Sequence, residues 1–219
     1  VDDRILVVDS GFDHEESEKV FFDALDELGA EIGKTDMFLT HLHADHSGLA
    51  LKFKNKYQGK VYCSQIDTDY INLMKHELYA DRFVPTLKVM GLRDDFEFFK
   101  THPGLVYCIK DKIQTEIVKA GDKIEIGDYH FEVIDVSGHT PGHTAIYDKE
   151  HKILFSGDHI LNKITPNISF WEFKYGDILG TYLKNLDKIY SMDVDVIFSA
   201  HRGIIENPKQ RIDELKKHY

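Results

Sequence analysis

The chain of 219 residues is 42% hydrophobic and carries a formal net charge of −11 with histidine neutral. That length can bury one large core, no stretch approaches the ~18 apolar residues a membrane span needs, and an acidic chain without a block of consecutive Lys or Arg weighs against a nucleic-acid groove. Cys63 and Cys108 form neither a CxxC pair nor a disulfide framework, which suits two small buried hydrophobes in a reducing cytoplasm.

Ile5-Leu6-Val7-Val8 reads as a strand closing on Asp9, ahead of Ser10-Gly11. An Asp at that place serves equally as a turn residue and as an acceptor for the free ring N–H of a metal-binding histidine. From His14 to Leu28 the residues Phe21, Leu25 and Leu28 recur at helical spacing, and Gly29 stops the run. Met37-Phe38-Leu39 is strand-like, and the spacing predicts a helix over 47–57 followed by a strand at Val61-Tyr62-Cys63. The interval 67–112 breaks this alternation with Tyr70, Tyr79, Phe83, Phe96, Phe98, Phe99, Met74 and Met90, expected on two or three short helices. Its place suggests a lid over a substrate approach; the alternative is aromatic packing of an insert onto the body.

Strands resume from Thr115, with Gly121-Asp122 and Gly127-Asp128 marking the turns of a meander. Asp177 opens a helix whose Ile178, Leu179, Tyr182, Leu183, Leu186, Ile189 and Tyr190 form an apolar face. Asn207-Pro208 then starts the last helix with an N-cap and a first-turn proline. Two αβ halves emerge without a linker between them, so residues 1–219 are expected to form a single domain. Because the first residue is Val1 and a strand follows almost at once, an N-terminal strand is expected to precede the given sequence.

The chemistry is concentrated in Thr40-His41-Leu42-His43-Ala44-Asp45-His46, where three imidazoles and a carboxylate fall within six consecutive residues. A solvated turn has no need of that combination, whereas neutral imidazole and carboxylate are the donors that suit zinc and iron. The run follows a strand, and the C-terminal ends of strands are where α/β proteins build sites. Four ligands from one loop would make a poor catalytic centre, so further donors are expected from distant loops. Gly138-His139-Thr140-Pro141-Gly142-His143-Thr144, Gly157-Asp158-His159 and Ala200-His201-Arg202-Gly203 each follow a strand-like segment.

With these residues assembled, the chain resembles the metallo-β-lactamase superfamily, whose signature His-x-His-x-Asp-His is matched by His41 through His46. The resemblance implies an α/β four-layer αββα sandwich with a helical insert at 67–112. It also implies a ligand set: His41, His43 and His143 on a first metal, Asp45, His46 and His201 on a second, and Asp158 bridging the two. His139 and His159 would then be packing or outer residues. The complete set looks like the hydroxyacylglutathione hydrolase, lactonase and nuclease branches, and the segment from Gly157 to Ser169 is similar to one in lactamase-like hydrolases of unassigned substrate.

Two divalent ions, most readily zinc but also manganese or iron, would lower the pKa of a bridging water from about 15.7 toward neutrality and polarise a carbonyl. Asp45 and Asp158 are the carboxylates expected to take part in that catalysis, Asp45 as a ligand in preference to a free general base. The favoured reading is hydrolysis of a small-molecule thioester, ester or lactone. A phosphodiester-cleaving metallonuclease is a second reading, although only Lys52, Lys54, Lys56 and Lys60 come near to a basic approach surface. A mononuclear-iron persulfide dioxygenase is a third, since the same donors accept iron. Arg202 and Lys163 are candidates for gripping a substrate carboxylate, and Trp171 and Phe173 for a loop near the metals. The helical domain that supplies much of the glutathione contact in the glyoxalase branch has no counterpart before Tyr219.

Overall fold

The computed structural model describes residues 4–74, 91 and 101–219. Its described residues fall into two compact units, an N-terminal one drawn from Ile5–Tyr62 and Thr68–Glu116, and a C-terminal one drawn from Cys63–Asp67 and Ile117–Tyr219 together with Arg4.

The N-terminal unit is organised by β2 (Thr35–Phe38), which is buried at all four positions. It pairs in parallel with β1 (Ile5–Val8) on one side and with β3 (Val61–Cys63) on the other. A parallel strand covered on both faces is expected to be apolar throughout, and here Met37 and Phe38 are wholly enclosed. In the β1–β2 register Val8 lies opposite Phe38, and the Asp9 N–H donates to the Phe38 carbonyl at 2.9 Å. The two strands therefore end together, with Asp9 beside the start of the histidine loop. The sheet order is completed by β4 (Glu116–Ile117) at the β3 edge.

Three helices follow from local sequence. Helix α1 (Glu15–Glu27) is capped by His14, whose Nδ1 accepts the Glu16 N–H, and its first turn holds Glu15, Glu16 and Glu18, the sign that a helix N-terminus favours. Helix α2 (Ala44–Ser47) begins inside the histidine motif, earlier than the spacing suggested, and α3 (Ala50–Tyr57) carries Phe53 and Tyr57 inward. Phe53 and Tyr57 pack at a tilt with ring centroids 5.2 Å apart, and Phe21 meets Phe53 edge-on at 6.4 Å. Of the expected helical insert, only α4 (Gln65–Met74) and α5 (Pro103–Val106) belong to the described residues, so its role as a lid lies outside them.

The C-terminal unit holds a six-stranded sheet in the order β10-β9-β8-β7-β6-β5. Its strands are β5 (Lys123–Ile126), β6 (Tyr129–Asp135), β7 (Thr144–Asp148), β8 (Ile153–Gly157), β9 (Val196–Ser199) and β10 (Ile204–Ile205). Only β8 and β9 pair in parallel, and the crossover this demands is α6 (Ile178–Tyr190). One face of α6 packs Tyr182, Leu186 and Ile189 with Val136, Ala145, Leu154 and Ile197, and α7 (Pro208–His218) adds Ile212 and Leu215. That face is narrower than the sequence suggested. Leu179 and Tyr190 are exposed, while Asn185 turns inward and donates to the Ser137 carbonyl at 2.8 Å. Asn207 stands at the N-terminus of α7, yet its side chain makes no capping bond. Cys63 and Cys108 are both buried, as expected, and neither is in a disulfide. No helix among the described residues is long and apolar enough to cross a membrane.

Candidate metal centre

In the N-terminal unit the histidine loop is tied down from beneath by Asp9. Its φ of 62° places Asp9 in the left-handed region, an uncommon conformation that Asp tolerates through local hydrogen bonds. The Thr40 N–H donates to Asp9 Oδ1 at 2.8 Å, and the Thr40 hydroxyl donates to Oδ2 at 2.8 Å. Oδ2 also accepts from His46 Nδ1 at 2.8 Å. Thr40 Oγ1, having donated its proton to Asp9, is left to accept from His41 Nδ1 at 3.0 Å.

These bonds assign tautomers. Both His41 and His46 carry their ring proton on Nδ1, so each presents the lone pair of Nε2, which is the form a metal requires. His41 Nε2 lies 3.0 Å from His43 Nδ1, and His46 Nε2 lies 3.6 Å from Asp45 Oδ2. Two nitrogens at bonds of 2.0–2.1 Å from a tetrahedral ion would be about 3.3 Å apart, so the His41–His43 spacing fits a shared cation. His41 is fully enclosed and His46 is 2% exposed. Asp9, His41 and His46 have ligand-type atoms within 4.8 Å of one another and could hold a metal ion, although both Asp9 oxygens already accept protein hydrogen bonds.

In the C-terminal unit the three remaining loops converge on Asp158. Oδ1 lies 3.4 Å from His201 Nε2, and Oδ2 lies 3.5 Å from His139 Nε2, so the two oxygens address two different imidazoles. His139 is held on its other side. Its Nδ1 meets the Asn167 carbonyl at 2.7 Å, which puts the ring proton there, and its own carbonyl accepts from Trp171 Nε1 at 3.1 Å. The segment 158–171 thus begins at the carboxylate and returns to grip the histidine facing it. Gly138 permits the turn into this loop: its φ is 145°, and a Cβ there would lie 2.6 Å from Tyr182 Cβ.

His143 stands at the entry to β7 (Thr144–Asp148), which is buried at every position, and its Nε2 accepts the backbone N–H of Asp158 at 3.1 Å. Both histidines of this loop therefore stand against Asp158, His139 at its side chain and His143 at its backbone.

His159 is fully buried, and burial pushes its imidazole down to about 3, helped by the positive charge of Lys188. It is neutral at any physiological pH and packs edge-on against Tyr182 at 5.1 Å, the packing role expected of it. Of the other histidines read as surface residues, His14 and His102 cap helices and His151 bonds to Asp148, while His76 lies outside the described residues. Arg202 and Lys163 are exposed with left-handed backbones, φ 68° and 65°. Trp171 is buried beneath His139 and Phe173 is exposed.

The profile of the metallo-beta-lactamase superfamily matches residues 1–201. The chain belongs to that superfamily. Its fold is also that of a metallo-beta-lactamase family protein from Thermus thermophilus, with a TM-score of 0.83 at 24% identity over 96% of this chain and 69% of the other. Among curated relatives, it is 25% identical over 167 residues to a hydroxyacylglutathione hydrolase of Haemophilus influenzae, 76% of this chain and 68% of the relative. It is 38% identical over 122 residues to an acyl-coenzyme A thioesterase of Gallus gallus, 54% of this chain and 39% of the relative. A third match, in Aquifex aeolicus, covers 54% of its relative, so the chain spans only part of the curated proteins it matches.

Proposed function

We propose that this chain is a metal-dependent hydrolase acting on a small-molecule thioester, ester or lactone through a dinuclear centre. The observation that supports the reading is the placement of Asp158, whose backbone N–H lies 3.1 Å from His143 Nε2 and whose Oδ1 lies 3.4 Å from His201 Nε2, so that three of the expected donors stand together in the C-terminal unit. The superfamily match includes both the His41–His46 motif and the Asp158 and His201 loops, and two relatives at low identity carry thioester-cleaving names.

In this proposal the residues that would hold metal are His41, His43, Asp45 and His46 of the N-terminal unit and His143, Asp158 and His201 of the C-terminal unit, the set that the superfamily resemblance implies. Imidazole and carboxylate donors of this kind suit zinc first, and manganese or iron after it. When bound, such a pair supplies an acidified water and a Lewis acid for the substrate carbonyl. The chain's own contribution is preorganisation. Asp9 and Thr40 fix the Nδ1–H tautomers of His41 and His46, and the Asn167 carbonyl does the same for His139, which faces Asp158. Cytoplasmic residence is part of the proposal, in keeping with two buried cysteines outside any disulfide.

Elemental analysis of protein purified without added metal or chelator tests it, followed by a panel of thioesters, esters, lactones and phosphodiesters. Near two zinc or manganese ions per chain with thioester, ester or lactone turnover is the expected result. A single tightly held iron with oxygen-dependent persulfide turnover would replace the proposal, phosphodiester turnover alone would redirect it to nucleic acid, and absence of any bound metal would overturn it.

A further inference from the structure

Asp67 stands in the first turn of α4 and is fully buried. Its backbone N–H donates to Ser64 Oγ at 3.1 Å, an N-terminal capping contact that leaves the carboxylate pointing elsewhere. That carboxylate faces the loop carrying His139. Oδ2 accepts from the Thr140 hydroxyl at 3.1 Å. A Cβ placed on Gly142 would come within 2.4 Å of Asp67 Oδ1 and 2.5 Å of Ser64 Oγ, so glycine at 142 is what lets the backbone lie against the acid. The residues on either side of Pro141 are therefore seated on Asp67, one by a hydrogen bond and one by close packing. His139, the residue before Thr140, faces Asp158 at 3.5 Å.

An enclosed carboxylate is an expensive way to seat a loop, because removing its charge from water costs several kcal/mol unless hydrogen bonds and nearby positive charge offset it. An amide of the same shape would accept from Thr140 without that penalty. A buried anion beside a loop that presents an imidazole is, by contrast, well placed to favour a cation held by that imidazole.

We propose that Asp67 is a positioning residue for the metal centre: its carboxylate seats Thr140 and Gly142 and so orients the loop from which His143 would reach a metal, and its charge strengthens cation binding there. The inference rests on the metal-dependent reading above. Zinc affinity is measured by competition with a chromophoric chelator for the whole chain, for Asp67→Asn and for Thr140→Val, alongside the melting temperature of each protein stripped of metal. Asp67→Asn preserves shape and an acceptor but removes the charge. It is expected to weaken zinc binding by roughly 10- to 100-fold, as loss of an outer partner does, while the metal-free melting temperature is unchanged or raised.

A purely structural role predicts the opposite pattern, a lower metal-free melting temperature with zinc affinity within about twofold of the parent, and that result would overturn the proposal. Should Asp67→Asn fail to fold, Thr140→Val decides, since it removes the donor and leaves the acid; unchanged zinc affinity there overturns the proposal as well. A parent protein that binds no zinc, manganese or iron sinks the metal-dependent reading itself, and this inference with it. A parent that binds metal and variants that bind it equally well sink only the role of Asp67.

Discussion

The backbone N–H of Asp158 donates to Nε2 of His143 at 3.1 Å, so one histidine of the 138–143 loop anchors the backbone of the residue whose side chain the other histidine faces. His143→Ala should cost about 2–4 kcal/mol of stability as a buried ring and its hydrogen bond disappear, and it should lower bound metal and activity much more than His139→Ala does. Metal content, turnover and denaturant unfolding of the two variants, measured side by side, check this. If His139→Ala loses metal while His143→Ala keeps it, the two histidines of this loop have the opposite roles.

Asp158 oxygens address His139 and His201 separately, at 3.5 and 3.4 Å. Asp158→Ala should lower metal stoichiometry below that of the parent and reduce turnover by at least about 100-fold, in the range of a lost charge-stabilising group. Elemental analysis with a kinetic assay reads both quantities. A variant retaining the full complement of metal and activity removes the basis for a bridging carboxylate.

Asp9 accepts from the Thr40 N–H, the Thr40 hydroxyl and His46 Nδ1, while its backbone is left-handed. Asn tolerates that backbone as well as Asp does, so Asp9→Asn isolates the hydrogen bonding. An amide nitrogen must now face one of the three donors. Metal affinity should drop by roughly 10- to 100-fold, with kcat affected more than KM, because the ligand ring is misaligned and no substrate contact is lost. Chelator competition and steady-state kinetics provide the readouts; unchanged affinity would show that the Asp9 bond is dispensable.

Away from the site, Asp148 is enclosed in the sheet at the end of β7. Burial alone would raise its pKa, but the N–H groups of His151 and His130 at 2.8 and 2.7 Å, and His151 Nδ1 at 3.0 Å, outweigh it and hold the carboxyl below its ordinary 3.8. A depressed carboxyl contributes stability that is complete above the unfolded-state pKa and is lost as pH falls through the lower folded value. Asp148→Asn should therefore destabilise the chain by about 1–3 kcal/mol at pH 7, with the difference from the parent shrinking only below about pH 4. Urea unfolding across pH 3–8 measures the gap, and a gap already closed at pH 6 would contradict the sign.

The local sequence carried the donor types and most of the elements. Three histidines and an acid after the strand ending at Phe38 mark a metal-binding loop on composition alone, and the helices at 15–27 and 178–190 follow from apolar spacing and from His14 and Asp177 at their starts. Asp9 could be read as an acceptor for a ring N–H, because an acid at the end of β1 lies next to whatever leaves the end of a parallel β2.

What the linear order could not decide was which nitrogen faces where. His139 and His143 are four residues apart in a loop bounded by glycine and proline, and no periodicity separates them. Only the pairing of β6 with β7 sets His143 at the mouth of a buried strand, against the backbone of Asp158, and leaves His139 opposite its side chain. The buried acid at 67 was equally silent, since its partners Thr140 and Gly142 lie more than seventy residues away in the chain. Residue type determined what chemistry was available to this protein; hydrogen bonds made across long sequence separations determined which of those residues come to face one another.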